Sequence, residues 1–275
     1  MSMVEVVGDV QALHVQSHKA GTLFQVASQF NLLEMVSPQV TPESGVGIYQ
    51  HDKTQGPACA IAAGAGAIYR NYFVPLAGQT GQSKTLQIDC LADMGRALGN
   101  TDERLWRMQN GYALATVEGL NEITGRLNRA SEAERDILRS LLRIGIQWNT
   151  LVTLESCTHL VSQVYCSALP VAYSHYHPDK WAAFAVLVLE AAYEATLLLA
   201  QLNAQHTGNH QVYLTLLGGG AFGNKTEWIL SAIDRALNLH KHGALDVLLV
   251  SRHTANPCLI PLLDRFNSTH QGIQP

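Results

Sequence analysis

The chain has 275 residues, 47% of them hydrophobic and only 15% charged, with 18 basic against 22 acidic residues for a net charge of −4. It is too apolar to be disordered and too acidic to be a general binder of the nucleic-acid backbone, though backbone amides could still hold one phosphate-bearing ligand. The five cysteines are odd in number and lack paired spacing, which argues against a disulfide framework or a zinc site and fits a reducing, cytoplasmic compartment.

In chain order, the first residues carry no basic stretch ahead of an apolar one, so no secretory leader is expected. Residues 4–7 and 12–16 read as short strands about a turn at Gly8 and Asp9, and residues 23–27 as a third strand. A loop rich in Pro, Gly, Ser and Thr covers 37–57, a length more often functional than idle. Helices are expected over 58–72, made largely of Ala and Gly, and over 87–98, 116–127 and 131–143. The last of these carries the capping-box pair Ser131 and Glu134. A strand over 160–167 precedes a long apolar helix over 179–203. That helix contains Glu190 and Glu194, so it reads as a buried crossover helix rather than a membrane span. A strand over 211–217, a helix over 226–239 and a strand over 245–250 follow, with an irregular tail from about 256. Strands alternating with long helices predict one α/β domain over 1–275 with a largely parallel sheet.

Three segments carry chemistry. In the first, an apolar strand runs into Gly218, Gly219, Gly220, Ala221, Phe222, Gly223 and Asn224 and then a helix. A glycine-rich turn opening a helix aims N–H groups at an anion, typically a diphosphate; without a ligand it is a tight strand-to-helix turn. The same residues match a GxGxxG dinucleotide fingerprint. However, too little chain follows for a dinucleotide fold, and the next strand ends in Ser251 and Arg252, with no acidic residue. The second segment gathers Asp52, Thr54, Gln55 and Gly56 on the loop before the small-residue helix, where Asp52 or Thr54 could equally serve as its N-cap. The third is a strand end in Ala27 and Ser28 followed by two carboxamides, Gln29 and Asn31, suited either to a ribose or to turn chemistry. The histidine pairs lack metal-site spacing, so no metal is expected.

The strand ending in Ala-Ser-Gln-Phe-Asn31 resembles the asparagine-bearing strand end of macrodomains, and the Gly218–Gly223 loop before the penultimate helix resembles their phosphate loop. The blocks Thr54-Gln-Gly-Pro57, Tyr69-Arg-Asn-Tyr72, the run from Gln163 to Tyr173 and the run from Leu217 to Gly223 look like a divergent, MavL-type macrodomain group of ADP-ribosyl-ubiquitin hydrolases. This resemblance, over roughly 24–250, implies a three-layer α/β/α fold with a mixed, largely parallel sheet and no metal or cofactor. It also implies hydrolysis of ADP-ribose from a modified protein, plausibly arginine-linked ADP-ribosyl-ubiquitin. Gln29, Asn31, Thr54, Gln55 and Gly56 would contact the ADP-ribose, and Gly218 through Asn224 its diphosphate. Gln29 stands where macrodomains carry asparagine, and Asn149 where an acid is expected. An oxocarbenium-like transition state at the distal ribose calls for a carboxylate; Asp52 is the leading candidate and Glu43 the second. The alternatives are a module that binds ADP-ribose without cleaving it, and a dinucleotide-dependent oxidoreductase.

Overall fold

The computed structural model describes residues 1–271. The main elements are β1 (Ser2–Val7), α1 (Val10–His14), β2 (Leu23–Ala27), α2 (Gln55–Ala62), α3 (Gly64–Ile68), β3 (Pro75–Leu76), β4 (Gln79–Thr80), α4 (Ala92–Leu98), β5 (Trp106–Gln109), β6 (Tyr112–Ala115), α5 (Val117–Arg129), α6 (Glu132–Ser140), β7 (Gly145–Leu151), β8 (Leu160–Cys166), α7 (Ala182–Thr207), β9 (Gln211–Leu214), α8 (Thr226–His240), β10 (Asp246–Ser251) and α9 (Ile260–Gln271).

Six strands form the central sheet in the order β1-β10-β9-β2-β8-β7, parallel throughout except where β7 runs antiparallel to β8 at one edge. Successive strand residues point to opposite faces, and both faces are buried. Leu23, Val164, Val212, Leu214, Val247 and Leu249 join the larger core with α5 through α8. Phe24, Val26, Val161, Tyr165, Tyr213 and Leu248 pack with α1 and α2 on the other side. The result is the expected three-layer α/β/α arrangement about a mixed, largely parallel sheet. Its long apolar helix, α7, is the crossover from β8 to β9. The two glutamates that interrupt it are paired: Glu190 with Arg139 of α6 at 2.7 Å, and Glu194 with Arg235 of α8 at 2.6 Å.

Several elements differ from the sequence reading. Residues 12–14 of the strand expected over 12–16 are helical instead, in α1, because the Asp9 carboxylate accepts from the N–H groups of Gln11 and Ala12 and starts a helix. The helix expected over 58–72 breaks at Ala63 (φ −128°, ψ 64°) into α2 and α3 and ends in a π-helical turn at Tyr69–Phe73. Only Ala92–Leu98 of the 87–98 helix forms, since the Gln87 side chain is tied between Asn31 and Asn110. The tail is helical from Ile260, where Leu259, Leu262 and Phe266 are buried in the larger core.

Candidate functional site

The chain leaves β2 for α2 on one face of the sheet and leaves β9 for α8 on the other, although β2 and β9 are neighbours. Their carboxyl ends therefore diverge, and a crevice opens where open α/β sheets bind ligands. A cavity of about 350 Å³ occupies it, walled by the end of β2, the loop leading into α2 and the glycine-rich turn after β9.

The glycine wall is a tight turn held by its own backbone. Gly219 N–H donates to Leu216 C=O, Gly223 N–H to Gly220 C=O and Asn224 N–H to Gly218 C=O, at 2.9–3.0 Å. Gly218 (φ +73°) and Gly223 (φ +70°) occupy the left-handed region that only glycine enters cheaply. Among the described residues, the N–H groups of Gly220, Ala221 and Phe222 have no backbone acceptor, and all three residues line the cavity. They lie ahead of the N-terminus of α8, whose dipole adds positive potential. The wall thus offers neutral donors, and no Lys, Arg or His is among the residues described as lining the cavity.

On the opposite wall, Asp52 is half-buried, and its Oδ1 accepts from Thr54 N–H at 2.8 Å. Thr54 is exposed at the N-cap of α2 and makes no side-chain cap. Gln55 works as a clamp: its Oε1 accepts from Ala27 N–H and its Nε2 donates to Gln25 C=O, both at 2.8 Å, tying α2 to the end of β2. Gly56 makes that approach possible, because a Cβ there would lie 1.9 Å from the Ala27 carbonyl oxygen.

At the strand end, Ser28 and Gln29 line the cavity. Gln29 is buried, and its Oε1 accepts from Met35 N–H at 2.8 Å. Beside Ser28 lies Glu34, whose side chain is fully buried. It receives the Ser28 hydroxyl at 2.8 Å and the Arg70 guanidinium at 3.0 Å. Burial pushes the Glu34 carboxyl above the usual glutamate range, against the opposing pull of Arg70, Ser28 and Tyr49. Tyr112, Tyr173 and Phe222 close one part of the cavity, with ring centroids 5.1–5.7 Å apart. Tyr112 donates to Met35 C=O at 2.7 Å.

Asp52, Thr54, Gln55, Gly56, Gln29, Gly218, Gly220, Ala221 and Phe222 are thus brought to one cavity. Six residues named from the sequence are not. Asn31 is fully buried; its side chain donates to Gln87 and accepts from Leu33 N–H, pinning the turn after β2. Gly219 and Gly223 support the turn from outside the cavity lining, and Asn224 is buried with its Nδ2 donating to Leu169 C=O. Glu43 is exposed on the 3-10 turn Pro42–Ser44, earlier in the same connection and outside the cavity, where Lys84 N–H holds its carboxylate below the ordinary glutamate range. Asn149 lies on edge strand β7 in the left-handed region, at a bulge away from the cavity. The sequence reading missed Glu34 with its partner Arg70, and the Tyr112 ring. The signal for the pair was a lone acid in Leu-Leu-Glu34-Met and a lone base in Ile-Tyr-Arg70, each set among apolar residues. A larger open groove of about 550 Å³ lies between residues 84–89 and the β5–β6 hairpin and shares no lining residue with this cavity.

No protein-family model matches the chain, and no curated protein matches it. Among solved structures the chain is similar to poly(ADP-ribose) glycohydrolase from Deinococcus radiodurans in complex with ADP-ribose. The identity is 10% over 98% of this chain and 84% of that one, with a TM-score of 0.49. This distant likeness assigns neither a site nor an activity.

Proposed function

We propose that the chain is an ADP-ribosyl hydrolase of macrodomain type that removes ADP-ribose from modified protein, with arginine-linked ADP-ribosyl-ubiquitin as the substrate. The observation that carries this reading is the pairing, across one cavity, of the unpartnered amides of Gly220 to Phe222 with the carboxylate of Asp52. The amides suit a diphosphate, which gains hydrogen bonds without needing a buried cation. A ribose extending from that diphosphate toward Asp52 would present its anomeric carbon to the carboxylate. The Thr54 amide occupies Oδ1, which leaves Oδ2 to take a proton from an attacking water and to oppose the positive charge of an oxocarbenium-like transition state. The water oxygen bonds to the anomeric carbon as the bond to the guanidine nitrogen breaks, and that nitrogen keeps the electron pair and takes up the proton that Asp52 has accepted. The resemblance of the sequence blocks to the ubiquitin-directed macrodomain group supports the choice of substrate.

A module that binds ADP-ribose without cleaving it is the second reading, favoured by the engagement of Asp52 in the turn that starts α2. Release of ADP-ribose from arginine-modified ubiquitin separates the two. Asp52→Asn keeps the Thr54 contact and removes the base, so turnover should fall by at least about 100-fold while calorimetry still reports ADP-ribose binding. Turnover by Asp52→Asn at the wild-type rate removes Asp52 from the mechanism. Binding without release by the wild type favours the reader. No ADP-ribose binding at millimolar concentration rejects both. Glu43→Gln serves as the control and should change neither readout.

A further inference from the structure

The Ser28 hydroxyl has one proton to give, and it gives it to Glu34 Oε1 at 2.8 Å. Glu34 Oε1 does not return it, because the same oxygen also receives Arg70 Nη2. The Glu34 side chain is fully buried and meets the Arg70 guanidinium at 3.0 and 3.3 Å, a group with donors and no acceptor. The Tyr49 hydroxyl pairs with the same carboxyl, and its oxygen accepts Glu34 N–H at 3.0 Å. Arg70 is fixed in turn: its Nε donates to Leu32 C=O at 2.7 Å, and its guanidinium lies over the Tyr165 ring, 3.4 Å from the centroid. The hydroxyl rotor of Ser28 is therefore locked from behind, although a serine hydroxyl ordinarily turns to suit whatever it meets. Among the described residues no donor reaches the Ser28 oxygen, and Ser28 lines the cavity.

We propose that Ser28 is a specificity residue: locked as a donor to Glu34, its hydroxyl oxygen accepts a hydrogen bond from a hydroxyl of the ribose beyond the diphosphate, and Glu34 and Arg70 act through it as positioning residues. The proposal rests on the ADP-ribose reading above and adds which sugar contact distinguishes ADP-ribose from ADP. The glycine wall serves both ligands equally; Ser28 serves only the one that carries the second ribose.

Calorimetry with ADP-ribose and with ADP tests it on the full chain. Ser28→Ala should weaken ADP-ribose by about fivefold, the worth of one neutral hydrogen bond, and leave ADP affinity unchanged. Glu34→Leu removes the acceptor and frees the rotor, so it should lower the ADP-ribose to ADP preference similarly. The double variant should lose no more than Ser28→Ala alone, because one residue acts through the other. If Glu34→Leu leaves Arg70 unpaired and fails to fold, Ser28→Ala alone decides. An unchanged preference in Ser28→Ala, or an equal loss for both ligands, overturns the proposal and leaves the ADP-ribose reading standing. A wild type that binds no ADP-ribose rejects the parent reading, and this inference with it.

Discussion

Two glycines that are adjacent in sequence have different jobs. A Cβ on Gly220 would meet nothing within 4 Å, and the residue lines the cavity; a Cβ on Gly219 would press on Ile229 Cδ1 at 3.1 Å and Leu216 C=O at 3.2 Å. Gly220→Val should therefore weaken ADP-ribose binding at least about tenfold while changing stability by less than about 0.5 kcal/mol, as for an open-surface substitution. Gly219→Val should lower the melting temperature first. Calorimetry beside thermal unfolding checks both. His14 gives a second prediction at this scale. Its ring is buried, stacked on Phe24 at 3.8 Å, and bonded through Nδ1 to Val10 C=O and through Nε2 to the Gln163 amide. Gln163 donates at that contact, so the neutral ring with its proton on Nδ1 is the form that fits. Burial lowers the pKa of His14 from 6.5 to about 4. In the unfolded chain the ring takes up a proton as pH falls below about 6.5, and in the folded chain only near 4, so folding stability is lost across that window. Between pH 7 and 5 the contribution is about 2 kcal/mol. Urea unfolding of His14→Gln should show a pH dependence shallower by that amount; an identical slope would refute the assignment.

The elements show how far a single sequence can be read. Strands β2, β8, β9 and β10 were legible because their apolar runs are short and bounded by turn residues. Helix α6 was legible because its cap is local: Ser131 Oγ accepts from Glu134 N–H, and the Glu134 carboxylate returns to Ser131 N–H. Ser131→Ala should cost about 1 kcal/mol, measured by chemical denaturation with no change in ligand affinity. Strand β7 was not legible, because the bulge between Gln147 and Thr150 breaks the alternation that marks a strand. The β5–β6 hairpin has its signal in the turn pair Asn110-Gly111. At the site, the glycine turn and the Asp52 loop could be found because each is contiguous in sequence. The contact of Glu34 with Arg70 spans 36 residues and exists only once the π-helical turn at Tyr69–Phe73 has packed against the loop after β2. The carboxamide of Asn31 looked available for a ligand, yet the fold spends it on Gln87 and Leu33.

At the scale of the whole molecule, a net charge of −4 and a cavity bearing two acids with no described basic residue on its lining set the terms for binding an anion. In the proposed mode, recognition rests on fixed amide dipoles and a helix terminus, which mobile ions screen far less than exposed charges. Affinity for ADP-ribose should therefore fall by no more than about threefold between 50 and 500 mM salt. A steep decline in a salt titration would instead indicate cationic side chains at work.

The sheet also fixes when this cavity can exist. Among the described residues, strand β1 pairs only with β10, joining residues 2–7 to 246–251, and β2 lies between β9 and β8, so the first strands wait for the last. The cavity inherits that delay, since residues 27–57 supply one wall and 215–222 the other. A nascent chain leaving the ribosome carries the Asp52 loop long before the amides that face it have been synthesised. Such long-range pairing is slow to form and exposes unpaired strand edges meanwhile. Ligand binding should then appear abruptly, once the residues of β10 have emerged, rather than growing with the polypeptide.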